Sequence, residues 1–291
     1  MEKEKLRKKI FAKINTLPAL PIVIPKLLNL LDEEETRAAQ IVDTVSHDPA
    51  LTSKILQVAN SAYYGFPQEI TSLDRAITLL GFNMVKSLAL SIGVIHTLPS
   101  RPNCPRFSHE DLWIHCLAVA TLMRHLGQQF RRDGEEPETF FTIGLLHDIG
   151  KIVLDQFFAE EFQKTLELVA KGEALPFHDA EKRAIGIDHG ETGALLLSRW
   201  RFPDVVVRPI LAHHQEGGIN DETIAASVAF LRISDFVAQD EGVGSGGNVV
   251  PLPVKETDMA LLGMNEEVLA DAVDFLRNVK EGIYAFYQAM R

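Results

Sequence analysis

Gly144-Leu145-Leu146-His147-Asp148-Ile149-Gly150-Lys151 lies inside an apolar run from Phe140 to Phe158 whose spacing reads as one long helix. That reading sets an imidazole, a carboxylate and an ammonium on an element otherwise composed for burial. His147 offers a neutral nitrogen to a metal ion, and Asp148 an anionic oxygen able to bridge two ions. Gly150 removes a side chain and permits close approach of a neighbouring helix or ligand. Lys151 comes one turn after His147 on the same face, where an ammonium can meet a phosphate.

The surrounding sequence is helical in both directions. Glu110 to Gln129 reads as a long helix, separated from the first by a polar loop from Arg131 to Pro137. Downstream, Asp188-His189-Gly190-Glu191 is a capping-box pattern that starts a helix running to about Trp200. Pro203-Asp204 leads into a helix ending at His213-His214, and Asp221 caps one that continues to about Gln239. Upstream, helices are expected over Ile22 to Leu31 and Thr36 to Ser46, and after the Asp48-Pro49 start signal. Two more follow, one between Ser72 and Gly81 and one from Asn83 to His96. These five short helices make an N-terminal bundle, and Pro99 to Pro105 is a hinge out of it. Gly242-Val243-Gly244-Ser245-Gly246-Gly247 reads as a flexible linker, followed by two amphipathic helices, the last from Glu266 to Met290. Nothing reads as a strand, so the fold class is all-α.

Bulk properties narrow the function. The 291 residues are 46% hydrophobic, enough for a sizeable core, and the net charge of -11 argues against a broad grip on nucleic acid or anionic lipid. No apolar run approaches the roughly 18 residues that cross a bilayer. The start, MEKEKLRKKIFAKI, lacks a signal-peptide core. Cys104 and Cys116, the only cysteines, are too few for a disulfide framework or a thiolate zinc site and are read as inert. The expectation is a cytoplasmic protein with neither nucleic-acid nor membrane partner.

The His147-Asp148 pair gains meaning from its company. His115 interrupts an apolar helix with Asp111 one turn earlier, and Asp235 interrupts the run Phe230 to Val237. A buried mid-helix aspartate is costly unless paired or metal-bound. With His189, His213 and His214, the order is His, His-Asp, His, His-His, Asp, a mixture of neutral and anionic donors that suits two transition-metal ions (Fe, Mn, Ni or Zn). His47-Asp48 is explained by helix capping and is assigned no metal. His96, His109, His125 and His178 are expected in surface or capping roles, and Trp113 and Trp200 in the core. The basic run Lys3 to Lys13 is expected to be the solvated face of a first helix.

This order resembles the HD superfamily of metal-dependent phosphohydrolases, most closely its HD-GYP branch, which cleaves cyclic dinucleotides. The resemblance implies that His115, His147, Asp148 and Asp235 are core ligands, and that His189, His213 and His214 complete a second position. It implies that Asp111 assists a third metal, and that Lys151 and Asp148 are catalytic, with Lys151 binding phosphate. After His213-His214 the HD-GYP pattern continues with glutamate and arginine and ends in Gly-Tyr-Pro. Here the chain reads Gln215-Glu216-Gly217-Gly218-Ile219-Asn220. Leu17-Pro18-Ala19-Leu20-Pro21, Asp48-Pro49-Ala50-Leu51-Thr52, Ala59-Asn60-Ser61-Ala62-Tyr63-Tyr64-Gly65 and the Ser72 to Gly81 segment resemble the HDOD family. That resemblance runs from about Leu17 to the 210s. It implies an HDOD bundle over 1–103 packed against an HD-like helical subdomain over 104–241, then a linker over 242–255 and a helical tail over 256–291. It also implies a bacterial signalling regulator that acts through a protein partner; many members have lost their metal ligands, whereas the ligand residues stand in this chain, so a retained two-metal site is expected. The alternative is a metal-dependent phosphohydrolase acting on a nucleotide, a cyclic dinucleotide or another phosphate-containing small molecule. A structural module whose core histidines are simply hydrogen-bonded is the third reading.

Overall fold

A computed structural model describes residues 2–29, 38–131, 136–171 and 176–291. Among them every element is a helix and none is a strand. The first six are α1 (Glu2–Ile14), α2 (Val23–Asn29), α3 (Ala38–Ser46), α4 (Pro49–Ala59), α5 (Leu73–Leu80) and α6 (Phe82–Thr97). Next come α7 (His109–Phe130), α8 (Pro137–Leu146), α9 (Ile149–Phe157), α10 (Ala159–Ala170) and α11 (Phe177–Ala184). The chain closes with α12 (His189–Arg199), α13 (Asp204–Ala212), α14 (Glu222–Asp240), α15 (Glu256–Leu262) and α16 (Glu266–Met290). The expected ends of the second helix at 30–31, the start of the third at 36–37, and loop residues 132–135 lie outside the described residues.

The chain divides into two compact units. One comprises the described residues of Pro18–Leu98 and Asn278–Arg291, the other those of Met1–Leu17 and Pro99–Arg277. The first helix and the first half of α16 thus join the larger unit, while the second half of α16 joins the smaller.

In the smaller unit local chemistry sets the helix boundaries. Asp48 caps α4 by accepting from the Leu51 N–H at 3.0 Å, with Pro49 at the first helical position. Ser72 caps α5, and Gly81 ends it at φ 87°. Asn60, at the end of α4, accepts from the Ile70 N–H at 2.7 Å and donates to the Ile70 carbonyl at 2.8 Å. This side chain therefore replaces a backbone partner for the segment that enters α5. Tyr63 meets Phe286 of α16 edge to face at 5.2 Å.

The larger unit is built around α7, which is buried nearly along its whole length, including Trp113. Helices α8 and α14 pack against it, α12 packs against α9, and α13 lies between α12 and α14. The Asp188 capping box that starts α12 forms as expected: Asp188 accepts from the Glu191 N–H at 2.8 Å, and Glu191 accepts in return from the Asp188 N–H at 3.3 Å.

The single helix expected over Phe140 to Phe158 is two helices, broken at His147-Asp148. The cause is tertiary. Asp148 occupies the N-cap position of α9 but makes no capping bond, because its carboxylate is committed to Lys151 and His189. Among the described residues no single helix is long and apolar enough to cross a membrane.

Candidate metal centre

The break between α8 and α9 turns both His147 and Asp148 inward, where four other elements deliver donors. His115 comes from mid-α7, His189 from the first turn of α12, His213 and His214 from the end of α13, and Asp235 from α14. All are buried except His214, which is partly so. Two clusters result. His115, His147 and Asp235 offer ligand atoms within 4.8 Å of one another, and so do His189, His213 and His214. Asp148 joins them. Its Oδ1 lies 3.0 Å from His189 Nε2, while its Oδ2 lies 3.5 Å from His147 Nε2 and 3.9 Å from His115 Nε2.

The same local device aims two of the imidazoles. His147 Nδ1 lies 2.7 Å from the Gly144 carbonyl, and His213 Nδ1 lies 2.6 Å from the Ile210 carbonyl. Each histidine follows a helix end and folds back three residues onto a carbonyl left without an intrahelical partner. A carbonyl only accepts, so Nδ1 carries the proton and Nε2 presents a lone pair to the site. His189 is aimed by Glu181 of α11, fully buried, whose carboxylate accepts from His189 Nδ1 at 2.6 Å and from the His189 N–H at 2.9 Å. Hydrogen bonding of the far ring nitrogen is how metal-ligating histidines are generally oriented.

The electrostatics keep most donors in ligating form. Burial holds His147 below the ordinary histidine range, and burial with the neighbouring His189 and His147 takes His213 to about 3. Burial and the adjacent His213 likewise lower His214. Burial would raise Asp148, yet His147, Lys151 and His189 outweigh it and hold the carboxyl well below the usual range. Asp235 falls to about 2 because its interactions with His115 overcome burial. His189 runs the other way: burial opposes protonation, but Glu181 and then Asp148 raise it to about 9.

The donor set fits metal ions. His213 Nε2 is buried with no hydrogen bond, and His115 Nδ1 is likewise unpaired, while His115 Nε2 faces the Asp235 carboxylate, 3.0 Å from Oδ1. A buried polar atom left unpaired costs about 1–3 kcal/mol. Imidazole nitrogens left unpaired or facing only carboxylates, beside two ionised carboxylates, make a donor set that suits a cation better than a satisfied polar core.

Two further groups border the site. Lys151 is 2% exposed, and its Nζ donates at 2.6 Å to both Asp148 Oδ2 and the Gly246 carbonyl. The Cys116 thiol lies beside His147 and Asp148, where burial and then the Asp148 charge push it well above the ordinary thiol range. A cavity of about 270 Å³ opens onto the ligands, lined in part by His178, His213, His214, Asp235, Arg232 and Lys255.

Of the residues expected from sequence, His115, His147, Asp148, His189, His213, His214 and Asp235 are brought together, with Lys151 beside them. Asp111 is not. Its side chain is exposed in the first turn of α7, its carbonyl accepts the Ser245 N–H at 2.9 Å, and it belongs to neither cluster. His109, expected at a surface or cap, is buried and bonded through Nε2 to Asp155 at 3.0 Å. His178, given the same expectation, stacks on His214 with ring centroids 4.1 Å apart. Residues 243–248, expected within a free linker, lie against the site. Sequence reasoning also passed over Glu181 and over Arg232, whose Nε donates to the His213 carbonyl at 2.8 Å and whose Nη2 donates to the Gln215 carbonyl at 2.6 Å. A cation there offsets the free carbonyls at the end of α13.

Comparison with known proteins places the family and the fold. A family model described as HDOD domain matches residues 17–216. Among curated proteins, an uncharacterized protein of Treponema pallidum (strain Nichols) is 24% identical over 232 residues, covering 79% of this chain and 44% of that protein. The uncharacterized protein YuxH of Bacillus subtilis (strain 168) is 36% identical over 61 residues, covering 21% of this chain and 15% of its own length. The chain therefore spans less than half the length of the curated relatives it matches. Among solved structures, an HDOD domain protein with unknown function from Geobacter sulfurreducens superposes with a TM-score of 0.81 at 21% identity, covering 97% of both chains. A provisionally named phosphohydrolase of Shewanella amazonensis SB2B gives 0.76 at 24% identity, covering 97% of this chain and 98% of the other. A provisionally named signal transduction protein of Marinobacter aquaeolei VT8 gives 0.83 at 20% identity, covering all of this chain and 66% of the other. At these identities the likeness concerns the fold.

Proposed function

The chain belongs to the HDOD family, and from that premise we propose a cytoplasmic signal-transduction regulator that acts through protein contacts and keeps a two-metal centre of the HD type. One observation carries the reading. Two clusters of buried donors are joined through the two oxygens of Asp148. His115, His147 and Asp235 would hold one ion, His189, His213 and His214 the other, with Asp148 shared.

The donor chemistry suits Fe, Mn, Ni or Zn. When bound, such ions supply Lewis acidity and lower the pKa of coordinated water. The chain's own residues orient and neutralise. The Gly144 and Ile210 carbonyls fix the tautomers of His147 and His213, Glu181 fixes His189, and Lys151 brings a buried positive charge to Asp148. The sequence after His213-His214, which departs from the Gly-Tyr-Pro pattern, favours regulation over cyclic-dinucleotide cleavage. The name of the Marinobacter structure points the same way.

Elemental analysis of the purified chain beside Asp148→Ala tests the centre. About two transition-metal ions per chain, lost in the variant, are expected. A metal-free chain after incubation with Fe, Mn, Ni and Zn would overturn it.

A second reading, a metal-dependent phosphohydrolase, draws on Lys151 beside Asp148 and on the name of the Shewanella structure. It predicts metal-dependent phosphoester cleavage abolished by Asp148→Ala and retained by His47→Ala. Metal binding without cleavage of any phosphoester tested favours the regulatory reading.

A further inference from the structure

Between α14 and α15 the backbone of residues 243–248 crosses the edge of the centre as a strap. Val243 anchors it in the core, and the Ser245 N–H donates to the Asp111 carbonyl at 2.9 Å. At the far end Asn248 Oδ1 accepts the Phe177 N–H at 2.9 Å. Between these clasps the Gly246 carbonyl receives the Lys151 ammonium at 2.6 Å. The fit is tight. A Cβ at position 246 would stand 3.1 Å from both Asp148 Oδ2 and His115 Nε2. At position 244, where φ is +69°, a Cβ would run into the His115 backbone. Glycine is used here for close approach to the ligands, and Gly246 makes its contact on the ammonium itself.

Lys151 is enclosed on its other sides. Asp148 takes one of its protons, and the Phe177 ring lies 4.9 Å from Nζ. The Gly246 carbonyl thus stands where an incoming oxyanion would have to accept from Lys151. An anionic oxygen is the stronger acceptor, since a charge-assisted hydrogen bond exceeds one to a neutral carbonyl. Beyond the Val243 N–H bond to the Ala238 carbonyl at its root, two hydrogen bonds to other elements clasp the strap on either side of Gly246 among the described residues, and its glycines lose much conformational freedom when it closes. Closed and open states therefore lie near enough in energy for a ligand to choose between them.

We propose that residues 243–248 are a gate on the centre: the Gly246 carbonyl holds the Lys151 position that a phosphate oxygen takes, so strap closure and oxyanion binding at Lys151 exclude one another. The proposal rests on the reading of this site as a metal centre facing phosphate. It makes the strap the element through which occupancy of the site changes the surface. Ser245, Gly247 and Asn248 form, on its outer side, part of a second cavity of about 340 Å³ together with Arg106 and Asp111.

The test follows hydrogen exchange of the strap amides in the metal-incubated full chain, with and without inorganic phosphate, and measures phosphate affinity in the chain and in Asn248→Ala. Phosphate should speed exchange at the Ser245 amide. Asn248→Ala, which loses the clasp to Phe177 and touches no ligand, should bind phosphate about ten-fold more tightly, as when the competent state rises from about a tenth to nearly full population. Phosphate binding with unchanged strap exchange and equal affinities overturns the gate. So does failure of both proteins to bind phosphate. The exchange measurement uses the unaltered chain and stands even where the variant fails to fold. Metal content of the same samples judges the centre separately: metal without a strap response refutes the gate alone, and a strap response without metal refutes the centre alone.

Discussion

Replacing Gly150 with alanine places a methyl group where the α9–α12 crossing has no room. A Cβ there would run into the His189 carbonyl oxygen and lie 2.8 Å from the Gly193 nitrogen, about 0.6 Å short of ordinary contact. Both obstacles are backbone, so no rotamer change relieves them. In an open helical site the same exchange stabilises by about 0.5–1 kcal/mol. Here overpacking costs about 1–3 kcal/mol, and rigid backbone on both sides argues for the upper end, a net loss of about 2 kcal/mol. For a unit of this size that corresponds to a fall of about 4–8 °C in Tm. The same displacement draws His189 away from Asp148, now 3.0 Å from it, and should weaken metal binding as well. Thermal unfolding monitored by circular dichroism, with Gly218→Ala as control, reads the first effect. Gly218 has nothing within 4 Å of a built Cβ. A Gly150→Ala chain as stable as the Gly218→Ala control would refute the backbone-to-backbone crossing that positions the site.

Three further outcomes follow. Glu181→Ala removes the acceptor of His189 Nδ1 and should lower metal affinity about 10–100-fold, measured by competition with a chromophoric chelator; unchanged affinity would remove Glu181 from the account. Asp155 accepts from the Asn103 and Cys104 N–H groups and from His109; burial opposes ionisation, but these donors hold its carboxyl below 3.8. The ionised form therefore belongs to the fold, and its stabilisation is complete above pH 3.8 and lost as pH falls through the lower folded value. Asp155→Ala should cost about 2–4 kcal/mol at pH 7 by denaturant titration and flatten that acid dependence, and a wild-type acid profile in the variant would contradict this. Asn60→Ala unpairs both backbone groups of Ile70 and should cost about 1–2 kcal/mol, whereas a change within experimental error would mean that the segment finds other partners.

What was legible in the sequence follows from how local its cause is. Asp48, Ser72, Asp188 and Asp221 each cap a helix with a bond three residues ahead, so the pattern alone placed those starts. The seven clustered donors were legible because each imidazole or carboxylate interrupts an apolar context or stands at a helix end or start. The break at His147-Asp148 was not. Apolar periodicity continues on both sides, and what interrupts it is a carboxylate drawn to His189 across the fold as well as to Lys151 three residues on. Glu181 was passed over because nothing local reveals that α12 delivers His189 onto it. Asp111 stands outside the two clusters. It shares a helix with His115, but sequence spacing does not show that the strap backbone packs over that turn. Glycine composition suggested freedom at 242–247, while the contacts at Gly244, Gly246 and Gly247 show glycine permitting close approach.

The two-position centre is tested most directly by counting metal in the chain and in His115→Ala and His213→Ala, each incubated with Mn or Fe and desalted. The account predicts about two ions in the parent and about one in each variant, because each histidine belongs to a different cluster. No metal in the parent, or complete loss in both variants together, would contradict a centre built as two positions sharing Asp148.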